Sequence, residues 1–216
     1  MGPMGDPSRH GAPLLLLGPP DAGRARCCLL PRTLAAEEGA GPVIFLSREP
    51  LQRLPTGGRA ARDPLTLKRI RFLYPSSLKD LLEFFSSLHL TPSFPSLILV
   101  DGLERYLPST CSPQDGARIS ALMLDTASHF HCGLLVSSLS YSEGNDGAFL
   151  AVERYFSNRC HLYSDLSAGT EEREFKISFW PLLEQWTLYM AQDGSLRIGP
   201  GYSKQDTSPT RPKAVD

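Results

Sequence analysis

Residues 14–25 read Leu14-Leu15-Leu16-Leu17-Gly18-Pro19-Pro20-Asp21-Ala22-Gly23-Arg24-Ala25, and this stretch decides the fold. Its four leucines predict a buried strand. Gly18 and Gly23 outline the phosphate-binding P-loop, G-x-x-x-x-G-K-[ST], in which backbone N–H groups and a helix N-terminus surround phosphates. Two positions depart from that motif, because Arg24 replaces the phosphate-binding lysine and Ala25 replaces the hydroxyl that binds magnesium. A plain strand–turn–helix joint is the alternative interpretation.

Length and composition predict one globular domain with short tails. The chain has 216 residues and a formal net charge of -1, so a nucleic-acid partner is not indicated by global charge. Five cysteines without a C-x-x-C pair disfavour a disulfide framework and favour a reducing compartment. No apolar run approaches a membrane span and no signal peptide is evident, so we expect no membrane association. We expect disordered tails over residues 1–11 and 199–216 and a single domain over residues 12–198.

Strand-like and helix-like segments alternate between the tails. Buried strands are predicted over residues 13–17, 43–47, 69–74, 97–101 and 133–138, and helices over 24–38, 77–88 and 114–131. Hairpin-like strands are predicted over residues 159–163, 172–180, 186–192 and 196–198. This change of pattern predicts an α/β fold: a mainly parallel sheet flanked by helices, with C-terminal antiparallel strands.

Two carboxylates follow predicted strands. Asp101 ends the apolar segment Leu97–Asp101 and fits the Walker B pattern, in which an aspartate beside the P-loop holds magnesium through water. Glu49 follows the second strand, where a carboxylate could face the γ-phosphate and orient water. The pattern favours Asp101 as a catalytic and metal-binding residue and leaves Glu49 as a catalytic candidate. The alternatives are an aspartate that merely ends a strand and a surface glutamate.

Basic residues are concentrated between Arg48 and Arg71, where seven cations and two acids occur. A loop of this composition could neutralise DNA phosphates, or it could be an ordinary solvated loop. Further along, Tyr141–Phe149 is predicted as a flexible loop, and Tyr155 and Phe156 beside Arg154 could stack on bases or belong to the core. The DNA-binding candidates are Arg53, Arg59, Arg62, Arg69, Arg71 and Arg154.

Several longer segments of the sequence are similar to those of a known protein family. They are Pro42–Leu46 with Arg48, Pro50–Gln52, Lys68–Pro75, Leu99–Leu107 and Leu122–Phe130. From about residue 13 to 165 the chain resembles the SWIM-type zinc-finger-associated ATPases, divergent RecA-like recombinase paralogues of the Shu complex. The resemblance implies a RecA-like P-loop NTPase core, ATP and Mg²⁺ as cofactors, and single-stranded-DNA-stimulated hydrolysis in homologous recombination repair. It also implies a nuclear protein that binds a SWIM zinc-finger partner and associates with recombinase, its paralogues and recombinase filaments.

The resemblance assigns roles by position. Its nucleotide-binding residues are Gly18, Pro19, Pro20, Asp21, Ala22, Gly23, Arg24 and Ala25, with Asp101 as Walker B and Glu49 as the catalytic glutamate. Arg24 is a bulkier, planar cation than lysine, and Ala25 removes a direct magnesium ligand. Losing such contacts commonly lowers rates about a hundredfold or more. Two functions therefore remain open: a DNA-stimulated ATPase, or a P-loop scaffold that binds the zinc-finger partner and DNA without hydrolysing ATP.

Overall fold

The computed structural model describes residues 12–19, 41–50, 68–91, 93–140, 147–164, 173–182, 185–190 and 196–200. The strands are β1 (Leu14–Gly18), β2 (Val43–Ser47), β3 (Ile70–Leu73), β4 (Leu97–Asp101), β5 (Gly133–Leu139), β6 (Asn158–Ser164), β7 (Arg173–Trp180), β8 (Gln185–Met190) and β9 (Leu196–Pro200). The helices are α1 (Leu78–Ser87), α2 (Pro113–His129) and α3 (Gly147–Tyr155), with 3-10 turns at Leu88–Leu90 and Leu103–Arg105. The helix predicted over residues 24–38 lies outside the described residues.

All these strands form one sheet, in the order β3-β2-β4-β5-β1-β6-β7-β8-β9. The strands from β3 to β6 pair in parallel, and β6 to β9 pair as antiparallel neighbours. The predicted class, a mainly parallel sheet with an antiparallel C-terminal extension, is confirmed. Every residue of β2 is buried, which explains why the parallel strands have continuous apolar sequences: both faces of the sheet are covered.

The three helices of the described residues pack against one face of the sheet. Their contacts form a core cluster that includes Leu81 and Phe85 of α1, Ile119 and Met123 of α2, Phe149 and Val152 of α3, and Leu17, Val100 and Val136 of the sheet. A second cluster occupies the opposite face and extends from Phe45 and Leu99 into the antiparallel strands through Phe175 and Leu188. The two clusters place the ends of the central parallel strands between packed layers.

Helix α1 forms as its sequence predicts. Leu81 and Phe85 are buried, and the Ser77 hydroxyl caps the helix by accepting a hydrogen bond from the Asp80 backbone N–H at 3.2 Å. The Asp80 carboxylate in turn accepts a hydrogen bond from the backbone N–H of Ser76 at 3.1 Å. The reciprocal capping interaction therefore reaches one residue further back than a standard capping box.

Helix α3 is a correction to the sequence prediction. The predicted loop ended at Phe149, whereas a helix begins at Gly147, buries Phe149 and Val152, and is followed by a buried Phe156. Phe156 therefore belongs to the core and is excluded as a base-stacking residue, while Tyr155 remains exposed. The spacing of these apolar residues is helical, but the glycines and acids just before them resemble a loop.

Candidate nucleotide site

Four neighbouring parallel strands end at one edge of the sheet, in the order β2-β4-β5-β1. Ser47 of β2 is aligned with Asp101 of β4, so Glu49 follows directly beside the Asp101 strand end. Gly18 of β1 is aligned with Leu139 of β5, and its carbonyl accepts a hydrogen bond from the Ser140 N–H at 3.1 Å. Only β5 separates β4 from β1, a distance of about 10 Å between strand axes. The edge therefore brings together the two predicted carboxylates and the first residue of the predicted P-loop.

Ser137 fixes the Asp101 carboxylate. Its hydroxyl donates to Asp101 Oδ1 at 2.7 Å and accepts the Gly102 N–H at 3.0 Å. Both Asp101 and Ser137 are buried, so this hydrogen bond is shielded from water and stronger than an exposed one. A neighbouring strand thus holds a carboxylate oxygen in a defined position at the edge.

Gly102 turns the chain immediately after Asp101. Its φ of 73° lies in the left-handed region, which favours glycine. The turn leads into the 3-10 helix, where buried Glu104 accepts the Leu139 N–H at 3.2 Å. The segment after β4 is therefore tied to the end of β5, next to the P-loop strand.

Arg105 links this turn to Glu49. Its guanidinium donates to Glu49 Oε2 at 3.3 Å and lies 3.9 Å from Glu104 Oε1. Arg48 donates to the Arg105 backbone carbonyl at 2.7 Å, so the contact between the two segments has a backbone component as well. Glu49 is largely exposed, and such a surface ion pair contributes at most about 1 kcal/mol. The predicted catalytic glutamate is therefore held by a contact weak enough to exchange.

Tyr106 links the same turn to another segment of the chain. Its buried hydroxyl donates to the Pro75 carbonyl at 3.1 Å, which joins the turn to the segment after β3. Burial raises the pKa of Tyr106 well above its ordinary value, so the phenol stays protonated and remains a donor.

The residues present fit magnesium held largely through water. Mg²⁺ prefers oxygen ligands and usually keeps several waters beside one or two carboxylates. Asp101 supplies such a carboxylate, whereas Ala25 supplies no side-chain oxygen. Among the described residues, no group of three or more His, Cys, Asp or Glu side chains could hold a metal ion. Asp101 would therefore hold the ion together with water and the phosphates of a nucleotide.

The remaining predicted residues are distributed unevenly. Gly18 and Pro19 are described, whereas Pro20–Ala25 and the arginines at 53, 59 and 62 lie outside the described residues. Arg69 and Arg71 are exposed at the edge strand β3, and Arg154 is exposed on α3, just before β6. Strand β6 is five strand spacings from β3, or about 24 Å, so these arginines do not form one patch.

Sequence reasoning did not identify Ser137, Glu104 or Arg105 as parts of the site. The pair Ser137-Ser138 at the end of an otherwise apolar strand was an available signal, because polar residues there face the ligand-binding edge of a parallel sheet. Glu104 and Arg105 belong to the segment Leu99–Leu107, which is part of the family resemblance. Their hydrogen-bond partners could not be predicted, because they depend on which strands are neighbours in the sheet.

A comparison with protein-family models finds no match. The human protein ATPase SWSAP1 is 38% identical over 206 residues, which cover 88% of this chain and 90% of that protein. The mouse ATPase SWSAP1 is 40% identical over 219 residues, covering 89% of this chain and 79% of that protein. The chain belongs to the ATPase SWSAP1 family. The resemblance to the SWIM-type zinc-finger-associated ATPases of the Shu complex is therefore confirmed.

The fold of this SWSAP1 family member is also found among solved structures. The flagellar accessory protein FlaH from Methanocaldococcus jannaschii aligns with a TM-score of 0.65 and 9% identity, covering 89% of this chain and 91% of that protein. At this identity the likeness establishes the RecA-like fold alone. Within the described part of the SWSAP1-type chain, no helix is long and apolar enough to cross a membrane.

Proposed function

We propose that this chain is the ATPase subunit of a Shu-type complex that binds single-stranded DNA and hydrolyses ATP when DNA is bound. Its work is homologous recombination repair in the nucleus, where it supports recombinase filaments. The observation that carries the proposal is the buried Asp101 carboxylate, held by Ser137 at the edge where β1 ends. Membership of an ATPase family supports the same chemistry.

Each residue of the edge has a role in this proposal. The residues from Gly18 to Ala25 would hold the phosphates, Asp101 would hold magnesium through water, and Glu49 would orient the attacking water. Magnesium would neutralise charge on the phosphates when bound. Ser137 is a positioning residue, because it acts on Asp101 and not on the nucleotide.

ATP turnover with and without single-stranded DNA tests the proposal. We expect DNA to raise turnover, and we expect Asp101→Ala to lower the stimulated rate about a hundredfold or more. Asp125→Ala removes an exposed carboxylate from α2 and serves as the control. If the natural chain hydrolyses ATP no faster than the Asp101→Ala variant, the enzymatic function is rejected.

A non-hydrolysing scaffold is the second candidate, and two observations favour it. Arg24 and Ala25 lack the standard P-loop groups, and the exposed Glu49 is paired with Arg105. The double variant Arg24→Lys/Ala25→Thr separates the candidates. ATP binding that appears only in this variant supports the scaffold, whereas similar ATP affinity in both chains supports the enzyme.

The Arg105 contact gives a further discrimination. If Glu49 is the base, Arg105→Gln frees it and raises DNA-stimulated turnover severalfold, and Glu49→Gln lowers that turnover about a hundredfold. In a scaffold neither variant changes nucleotide turnover.

The proposed partners are a SWIM zinc-finger protein and the recombinase with its paralogues. Co-purification of the chain with the zinc-finger protein, followed by assay of bound nucleotide, tests the assembly. Failure to co-purify at low salt would remove the Shu-type assignment from the proposal.

A further inference from the structure

The antiparallel strands β6 to β9 have two unlike faces. Phe175, Ile177 and Leu188 are buried in the second core cluster and define the apolar face. Because side chains alternate along a strand, the residues between them lie on the opposite face. We define the basic–aromatic face by six of these residues: Arg159, His161, Tyr163, Lys176, Trp180 and Arg197.

The register of the strands places cations beside aromatic rings. Arg159 lies opposite Trp180, and Tyr163 lies opposite Lys176. Opposite residues of an antiparallel pair have Cβ atoms about 5 Å apart. The same alternation recurs at the outer edge, where Arg197 lies opposite a tyrosine of β8. The six residues therefore lie on one side of the four strands.

The aromatic rings of this face are accessible. Tyr163 is 54% exposed and Trp180 is 50% exposed. The rings of His161 and Tyr163 are nearly parallel, with an interplanar angle of 14° and centroids 6.0 Å apart. Exposed rings between cations are the means by which proteins hold unpaired bases and the phosphates that link them.

The charge of the face complements a phosphate backbone. Arg159, Lys176 and Arg197 are its cations, and Glu174 is the acid placed on the same side of β7. The face therefore carries more cations than acids, with Glu153 of α3 as a second acid that acts on His161. Exposed Arg154, at the end of α3 just before β6, extends the basic surface.

We propose that the basic–aromatic face binds single-stranded DNA. Bases stack on Tyr163 and Trp180, and phosphates meet Arg159, Lys176 and Arg197. The inference rests on the DNA binding of the proposed function and gives that binding a location, on the antiparallel extension instead of the arginine-rich segment between residues 48 and 71. A single strand fits better than a duplex because paired bases do not offer their faces to aromatic rings.

The aromatic part of the proposal is tested with the full chain and a fluorescein-labelled oligothymidine, by fluorescence anisotropy. Tyr163→Ala and Trp180→Ala are each expected to weaken binding about tenfold or more. Neither should change the dependence of affinity on salt, because no cation is lost. Phe94→Ala is the matched control: Phe94 is 53% exposed but precedes β4, far from the extension, and its loss should leave DNA affinity unchanged.

The charged part is tested by the salt dependence of the same binding. Lys176→Gln and Arg197→Gln should each lower the slope of log affinity against log salt by about 0.7, the value for one phosphate contact on a single strand. Lys79→Gln, an exposed lysine of α1, is the matched control and should leave the slope unchanged.

Three outcomes overturn the proposal. If the four face variants bind DNA normally while Arg69→Gln/Arg71→Gln does not, DNA lies at the β3 edge and the proposed function survives without this site. If the face variants lose the zinc-finger partner and keep DNA, the face is a protein interface. If the natural chain does not bind the oligothymidine even at low salt, the DNA-binding part of the proposed function fails together with the site.

Discussion

Two adjacent serines near the end of β5 have opposite surroundings. Ser137 bridges Asp101 and the Gly102 N–H, whereas the buried Ser138 hydroxyl has no hydrogen-bond partner among the described residues. Alternation along the strand explains the contrast, because Ser138 faces the apolar cluster beneath the helices. The contribution of a buried hydroxyl to the stability of the fold thus depends on the face of the sheet on which it lies.

This contrast predicts unequal effects of the same substitution. Ser137→Ala removes the buried hydrogen bonds of the Ser137 hydroxyl to the Asp101 carboxylate and to the Gly102 N–H, so we expect it to lower the free energy of unfolding by about 1–3 kcal/mol. Ser138→Ala removes an unsatisfied hydroxyl and should be neutral or stabilising. Urea denaturation of both variants measures the difference. Equal losses in the two variants would show that the Asp101 contact is not the cause.

At the scale of elements, the closest approach in the helical layer is between α2 and α3. A Cβ at Gly116 of α2 would lie 2.0 Å from the backbone carbonyl oxygen of Ala148 in α3. Backbone atoms cannot move aside as a flexible side chain can, so the two helices would have to separate. Gly116 therefore sets the distance between the helices that carry Met123 and Phe149 into the core.

Gly116→Ala should consequently destabilise the fold, although glycine-to-alanine changes inside helices normally stabilise by about 1 kcal/mol. We expect a loss of about 1–3 kcal/mol from overpacking, measured by thermal or urea denaturation. The control is Ala121→Gly, at an exposed position of the same helix, which should cost about 1 kcal/mol through helix propensity alone. A stabilised Gly116→Ala protein would contradict the close packing of the two helices.

The sequence predicted elements better than it predicted their contacts. Buried parallel strands such as Val43–Ser47 and Leu97–Asp101 are continuous apolar runs, so their bounds were predicted as observed. The buried stripe of α2 passes through Gly116, Ser120 and Met123. It is hard to recognise in the sequence because two of these residues are small or polar. The partners of Asp101 could not be predicted because Ser137 reaches it only through the order of strands in the sheet. The basic–aromatic face likewise depends on antiparallel register, a property of strand pairs.

At the scale of the whole molecule, His161 makes stability depend on pH. Burial lowers the pKa of His161, nearby Arg159 lowers it further, and Glu153 opposes them. The unfolded chain therefore binds a proton more readily than the folded chain below about pH 6.5. The free energy of unfolding should therefore be highest, as far as His161 is concerned, above that pH. It should fall as the solution is acidified toward the lowered pKa of His161 in the folded state.

Denaturation midpoints measured between pH 7.5 and 5 test this expectation. The decrease on acidification should be smaller in His161→Gln, which cannot take up the proton. His89→Gln, at an exposed histidine of the 3-10 turn after α1, should retain the decrease of the natural chain. The same pH profile in all three proteins would mean that His161 is not responsible.

The nucleotide edge and the basic–aromatic face share two hydrogen-bonded strands. Leu17, the residue before Gly18, is aligned with His161 of β6, so the strand that leads into the P-loop borders the strand that begins the face. A shift of β1 on nucleotide binding would therefore act directly on β6, as it would on β5. If the two sites are coupled, the coupling must be reciprocal, because both ligands act on the same equilibrium.

We accordingly predict that a non-hydrolysable ATP analogue strengthens oligothymidine binding about fivefold or more, and that DNA strengthens analogue binding by the same factor. Asp101→Ala should abolish both effects while leaving the DNA affinity of the nucleotide-free protein unchanged, because Asp101 is on β4, which β5 and β1 separate from β6. Titrations of each ligand at fixed concentrations of the other measure the two factors. Unchanged affinities would show that the two strands transmit no signal, and unequal factors would show that one ligand also binds at a second site.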